Sequence, residues 1–157
     1  DCGFTKENNW FRYRAAAIIV EKDCVLFASK EKDDYYYSIG GGVHMGETAE
    51  DAVVREIQEE LGILAKIVRP LWLNQAFFTE DVDKIDYHEL CIYFLVDITN
   101  TDLLERGKKF IVKEDSRTHT FEWLEFDRLK NEYFYPLFLK KEIFHLPNTF
   151  TIRTELE

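Results

Sequence analysis

The sequence predicts a mixed α/β fold in one domain spanning residues 1–157. Apolar runs of strand length, bounded by turn residues, recur along the chain. One segment, Ala49–Leu61, instead repeats its apolar residues with a helical period. No internal repeat, low-complexity tract or long linker divides the chain. Its 157 residues suffice to bury a core without disulfides.

Arg14–Val20 (RAAAIIV), the turn-prone Glu21-Lys22-Asp23 and Cys24–Ala28 read as a β-hairpin. Tyr35–Ile39 reads as a short strand stopped by Gly40-Gly41-Gly42. Thr48 is placed to cap a helix over Ala49–Leu61, and Gly62 to end it in the left-handed conformation. Ile63–Phe78 reads as one or two strands interrupted near Arg69-Pro70, and Glu80–Asp86 as an acidic loop. Leu90–Ile98 is a nearly continuous apolar run, as in a central strand buried on both faces. Thr99–Ser116 reads as a loop with a short extended piece at Phe110–Val112, and His119–Leu124 as a strand. Phe126–Asn131 and Pro136–Phe144 read as short helices, with the surrounding aromatics covering the sheet, and Thr149–Glu157 as a fraying end.

The composition, 46% hydrophobic and 32% charged, is too apolar for a disordered chain. The net charge of −10 disfavours a polymeric nucleic-acid partner, whose backbone is bound by Lys and Arg. A phosphorylated small molecule would instead need cations to offset the repulsion. No apolar stretch is long enough for a transmembrane helix, and the N-terminus lacks a signal-peptide core, so no membrane partner is expected. Cys2, Cys24 and Cys91 form no CxxC pair. Cys24 and Cys91 lie in apolar runs and read as core residues, and free thiols fit a reducing, cytoplasmic setting. A homodimer through the apolar strands or C-terminal helices is allowed but not required.

The informative segment is Gly41–Ile63. Glu56, Glu59 and Glu60 stand at i, i+3 and i+4, so their carboxylates share a helix face, beside the apolar stripe of Ala49, Ala52, Val53, Ile57 and Leu61. They occupy the C-terminal half of the helix, where the macrodipole disfavours negative charge by about 0.3–1 kcal/mol per exposed group. A hard divalent cation would relieve both that cost and their mutual repulsion. An ordinary solvated helix face is the competing reading of such a run.

The segment resembles the Nudix box, whose pattern is G, five residues, E, seven residues, then R-E-U-x-E-E-x-G-U with U a bulky aliphatic. Gly41, Glu47, Arg55, Glu56, Ile57, Glu59, Glu60, Gly62 and Ile63 fill every specified position. The resemblance implies a Nudix-type α-β-α sandwich with a mixed β-sheet. It implies a Mg²⁺-dependent hydrolase, with Mn²⁺ as an alternative ion, acting on a small nucleotide. The pyrophosphate bond of a nucleoside diphosphate linked to another group would be cleaved, giving a nucleoside monophosphate and a phosphorylated remainder. A silent nucleotide-binding or sensor module on the same fold is the alternative.

By the same resemblance Glu56, Glu59 and Glu60 would hold metal, with Glu59 or Glu60 as the base. Arg55 would fix a glutamate rotamer, and Glu47 would anchor the loop–helix junction. Gly41 and Gly42 would let the backbone approach metal and phosphate. Two positions depart from a common form of the motif: Ile39 replaces Pro, and His44 replaces Glu. Glu114, with Asp115 and Glu89 behind it, is the candidate for a further metal-binding carboxylate. Tyr35, Tyr36, Tyr37, Trp72, Phe77, Phe78 and Tyr87 could supply a base-stacking surface. No downstream marker names the substrate.

Overall fold

The computed structural model describes residues 1–30 and 35–156, apart from the side chain of Glu114. In chain order the strands and helices are β1 (Gly3–Lys6), β2 (Asn9–Ile18), β3 (Val20–Glu21), β4 (Cys24–Lys30), β5 (Tyr36–Tyr37), β6 (Ile39–Gly42), α1 (Ala49–Leu61), β7 (Lys66–Thr79), β8 (Asp86–Asp97), β9 (Lys109–Glu114), β10 (Arg117–Glu125), β11 (Phe134–Tyr135), α2 (Leu139–Glu142) and β12 (Thr151–Leu156).

They form two mixed sheets. The first runs β1-β2-β8-β7-β12 with β6 also on β2, and the second runs β11-β5-β4-β10-β9 with β3 on β4. β2 pairs β8 in parallel and β12 pairs β7 in parallel, as β11 does β5. Strand alternation sends side chains to both faces. Ala15, Ala17 and Ile19 pack with the α1 residues Ala52, Val53, Ile57 and Leu61, while Ala16 and Ile18 pack on the other side with Leu129, Phe134, Leu139 and Ile143. The result is an α-β-α sandwich. Burying a side chain such as Ile57, fully enclosed here, contributes about 1.5–3 kcal/mol.

α1 has the expected bounds and caps. Thr48 Oγ1 accepts from the Asp51 N–H at 3.0 Å, and Gly62, at φ 69° and ψ 26°, donates its N–H to Gln58. β8 is central, between β2 and β7, and no described helix is long and apolar enough to cross a membrane.

Other expectations are corrected. The first hairpin exists only at its tip, where β3 meets β4 around Lys22 and Asp23, both at positive φ; β2 itself belongs to the first sheet and begins at Asn9. Gly40, Gly41 and Gly42 do not stop a strand but continue β6 from Ile39; at Gly40 β2 lies too close for a side chain, since a Cβ there would lie 2.2 Å from the Ala15 carbonyl oxygen. Of the one or two strands expected over Ile63–Phe78 there is one, β7, which starts at Lys66 and carries register shifts between Ile67 and Arg69 and between Pro70 and Trp72, where the interruption was expected. The expected 99–116 loop contains a 3-10 turn at Leu103–Arg106 and the full strand β9. Phe126–Asn131 is a 3-10 turn, and the expected 136–144 helix shortens to α2. Within the end predicted to fray, Thr151–Leu156 is held by pairing from Thr151↔Trp72 to Leu156↔Phe77.

Candidate active site

β6 passes beneath the C-terminal half of α1. Gly41 is the point of contact, since a Cβ there would lie 2.3 Å from Glu56 Oε1. The glycine is therefore required by close approach rather than by a turn.

Arg55 organises the carboxylates around this contact. Its Nε donates to Glu47 Oε2 at 2.8 Å, and Nη2 donates to Glu47 Oε1 and to the Gly42 carbonyl, each at 3.0 Å. Nη1 donates to Glu56 Oε1 at 2.9 Å and to Glu59 Oε2 at 3.2 Å. Glu47 also accepts from the His44 N–H at 3.0 Å. The Arg55 bonds, then the His44 amide, hold the Glu47 carboxyl down at about 2. Arg55 is itself held more firmly charged, first by Glu47. The side chains of Glu47 and Glu56 are mostly covered, whereas that of Glu59 is 48% exposed. Glu60 is half-buried, with its Oε2 enclosed. The last turn of α1 carries no basic residue.

A model of the NUDIX domain matches residues 10–143. The chain belongs to the Nudix hydrolase family. It is 33% identical over 104 residues to the ADP-ribose pyrophosphatase of Methanocaldococcus jannaschii, covering 62% of this chain and 59% of that protein. The chain thus spans somewhat less than two thirds of that relative. An uncharacterised Nudix hydrolase of Listeria monocytogenes is 32% identical over 141 residues, covering 86% of this chain and 78% of its own. The MutT protein of Bacillus halodurans shares the fold at a TM-score of 0.62 and 18% identity, over 92% of this chain and 90% of that one. Family members act on pyrophosphate bonds and generally use divalent metal ions.

The donor set of this Nudix domain fits such an ion in chemistry: three carboxylates lie along one helix face, and Gly41, lacking a side chain, lets the Glu56 carboxylate lie against the β6 backbone. Among the described residues, no three acidic, histidine or cysteine side chains converge as a ready-made cage. Mg²⁺ tolerates that, since it usually binds through one or two carboxylates and fills the remaining positions with water and phosphate.

The further carboxylates fare differently. Glu114 ends β9 and its side chain lies outside the described residues; Asp115 is exposed in the following turn. Glu89 is buried, but it is engaged by cations: Arg12 Nε at 2.7 Å and Arg14 Nη1 at 3.5 Å, both to Oε1. In this structure it is the shared partner of two arginines. His44 lies 3.5 Å from Asp1 Oδ1, and Ile39 is a fully buried core residue.

Arg12 and Arg14, not among the expected site residues, both meet Glu89. The signal was present: Trp10, Arg12 and Arg14 alternate ahead of the apolar run and share a strand face. Of the candidate stacking aromatics, Trp72 is core, and Phe78 stacks on Tyr87 at 4.8 Å beside Arg12. Tyr35 instead joins Tyr133 and Tyr135, at 5.8 and 5.4 Å between ring centroids.

Proposed function

We propose that the protein is a Mg²⁺-dependent pyrophosphohydrolase that cleaves the P–O–P link of a nucleoside diphosphate joined to another group. Water adds across that link, its oxygen ending on one phosphorus while the bridging oxygen leaves with the other. The products are a nucleoside monophosphate and a phosphorylated remainder. The observation that carries this reading is the Arg55 fork, which gathers Glu47, Glu56 and Glu59 and ties them to the β6 backbone through the Gly42 carbonyl.

Glu56, Glu59 and Glu60 are the residues that would hold the ion. A bound divalent ion supplies charge neutralisation of the diphosphate and a lowered pKa for water. Arg55 fixes Glu47 and Glu56, so these carboxylates are oriented before substrate arrives. Glu59, with its exposed carboxylate, or Glu60 takes the proton of the attacking water. Tyr35, Tyr37, Tyr133 and Tyr135 form a ring cluster at the approach to β6, suited to stacking a nucleobase. A nucleoside diphosphate sugar suits this arrangement and agrees with the activity in the name of the archaeal relative. The acidic balance favours a small nucleotide over a polymer, and the free thiols favour a cytoplasmic setting.

The test is incubation with nucleoside diphosphate and triphosphate derivatives in Mg²⁺, Mn²⁺ or EDTA, with products separated by chromatography. Metal-dependent release of a nucleoside monophosphate, lost in Glu60→Gln, is expected. Nucleotide binding with no turnover under any metal would replace the enzyme by a binding module.

A further inference from the structure

Among the described residues β12 has one neighbouring strand, β7, so its outer row of backbone N–H and C=O groups faces solvent. Such an edge is a template for another strand, and folded proteins normally blunt it with proline, charge, a bulge or a covering element. β12 contains no proline, and its pairing to β7 runs from Thr151 to Leu156 without a register shift.

Alternation puts Ile152, Thr154 and Leu156 on one face of the strand and Arg153 and Glu155 on the other. Ile152 is 64% exposed and Leu156 76%, although both are aliphatic. Beside them in register lie Leu73 and the part-exposed Phe77 of β7. On the other face Arg153 lies over the Phe138 ring and reaches Glu142 only at 3.7 Å, beyond hydrogen-bond length. Among the described residues Glu155 meets only the Asn74 amide, at 3.5 Å. Both charges keep capacity for a closer partner.

Two copies of β12 can pair antiparallel about a two-fold axis only in registers centred on one residue, because symmetry makes the flanking pairs equivalent. Centred on Arg153 or on Glu155, the pairing sets like charges opposite each other. Centred on Thr154, it sets Arg153 against Glu155 of the second copy and Ile152 against Leu156, each twice, with the two threonines facing. Opposite charges, apolar pairs and Thr–Thr are all favourable cross-strand combinations.

We propose that β12 is a homodimer interface, in which two copies join antiparallel across Thr154 and make their first sheets continuous. A second copy is the fitting partner because the strand's charge pattern is complementary to its own reversal. The strip also carries no net charge, so chains of net charge −10 meet there without local repulsion. A strip of 6 residues is small for an interface, so association is reversible and concentration-dependent rather than obligate. This pairing is independent of the proposed reaction.

The experiment is sedimentation velocity of the full chain from micromolar to millimolar concentration, where a species of 18.7 kDa should give way to one of twice that mass. Arg153→Glu and Glu155→Arg each place two like-charge pairs in the interface and should raise the dissociation constant about 10-fold or more. The first makes the chain more acidic and the second less, so weakening in both marks the local pairs rather than net charge. The double exchange Arg153→Glu/Glu155→Arg should return the constant toward wild type. Thermal unfolding of each variant at the lowest concentration controls for the Arg153–Glu142 contact. Register is read by cysteines in a chain carrying Cys2→Ser and Cys24→Ser, since both native thiols are partly exposed. With a mild thiol oxidant Thr154→Cys should give a disulfide-linked dimer, because facing Cα atoms lie about 4.5–5.5 Å apart. Ile152→Cys should not, its two copies lying about 13 Å apart along the strands. A mass of 18.7 kDa at every concentration, single charge variants that associate like wild type, or equal cross-linking of the two cysteine variants overturns the inference.

Discussion

Gly41 and Glu56, fifteen residues apart, meet so closely that the glycine hydrogen faces the carboxylate: a Cβ would lie 2.3 Å from Oε1 and 2.4 Å from Cδ. Gly41→Ala should therefore expel the Glu56 carboxylate from its bond to Arg55. We expect a loss of kcat of about 100-fold or more, comparable with removing one preorganised catalytic contact. Gly62→Ala is the contrast, because a Cβ there meets nothing within 4 Å and only the positive φ is strained. It should cost about 1 kcal/mol of stability with kcat retained. Steady-state kinetics and denaturant unfolding of both variants separate the two roles, and a fully active Gly41→Ala would refute the close-contact argument.

Glu47 links the site to acid stability. Its carboxyl is depressed from 4.5 to about 2 in the folded protein, through Arg55 first and the His44 amide second. A depressed carboxylate contributes stability that is fully present above its unfolded pKa and is lost as pH falls through the folded one. The gap in thermal midpoint between wild type and Glu47→Gln should thus be constant above about pH 5 and close between 4.5 and 2. A gap independent of pH over that range would mean Glu47 acts only by shape.

Glu59→Gln and Glu60→Gln test the exposed and the half-buried carboxylate at the C-terminal end of α1. Loss of a proton acceptor or of metal charge should lower kcat by about 10²- to 10⁴-fold with the fold intact. EDTA should abolish turnover and added Mg²⁺ restore it. Turnover that survives both substitutions and EDTA would exclude the proposed chemistry.

Cys91 lies in the middle of β8, wholly enclosed, and burial first, then the Glu89 charge, pushes its thiol up to about 12. Iodoacetamide at pH 8 should leave Cys91 unlabelled in the native protein and label it after denaturation. Peptide mass spectrometry reads this directly, and rapid native labelling of Cys91 would show that β8 opens easily.

The part of the site legible in sequence is the part that is local. Helical spacing alone puts Glu56, Glu59 and Glu60 on one face of α1, and Thr48 and Gly62 mark its ends through their own backbone chemistry. Arg55 reaches Glu47 and Glu59 within about two turns of chain, so the Nudix box carries its own fork. Tertiary structure alone decided what is distant in sequence. Parallel pairing of β2 with β8 brings Arg12 and Arg14 to Glu89, and β12 takes its place because β7 offers it an edge. The ring cluster likewise depends on β11 aligning with β5. A strand's own residues specify its two faces but not its neighbour, since register is settled only when both faces are buried together. The carboxylates were therefore readable from Gly41–Ile63, whereas the meeting of Arg12 and Arg14 with Glu89 was not.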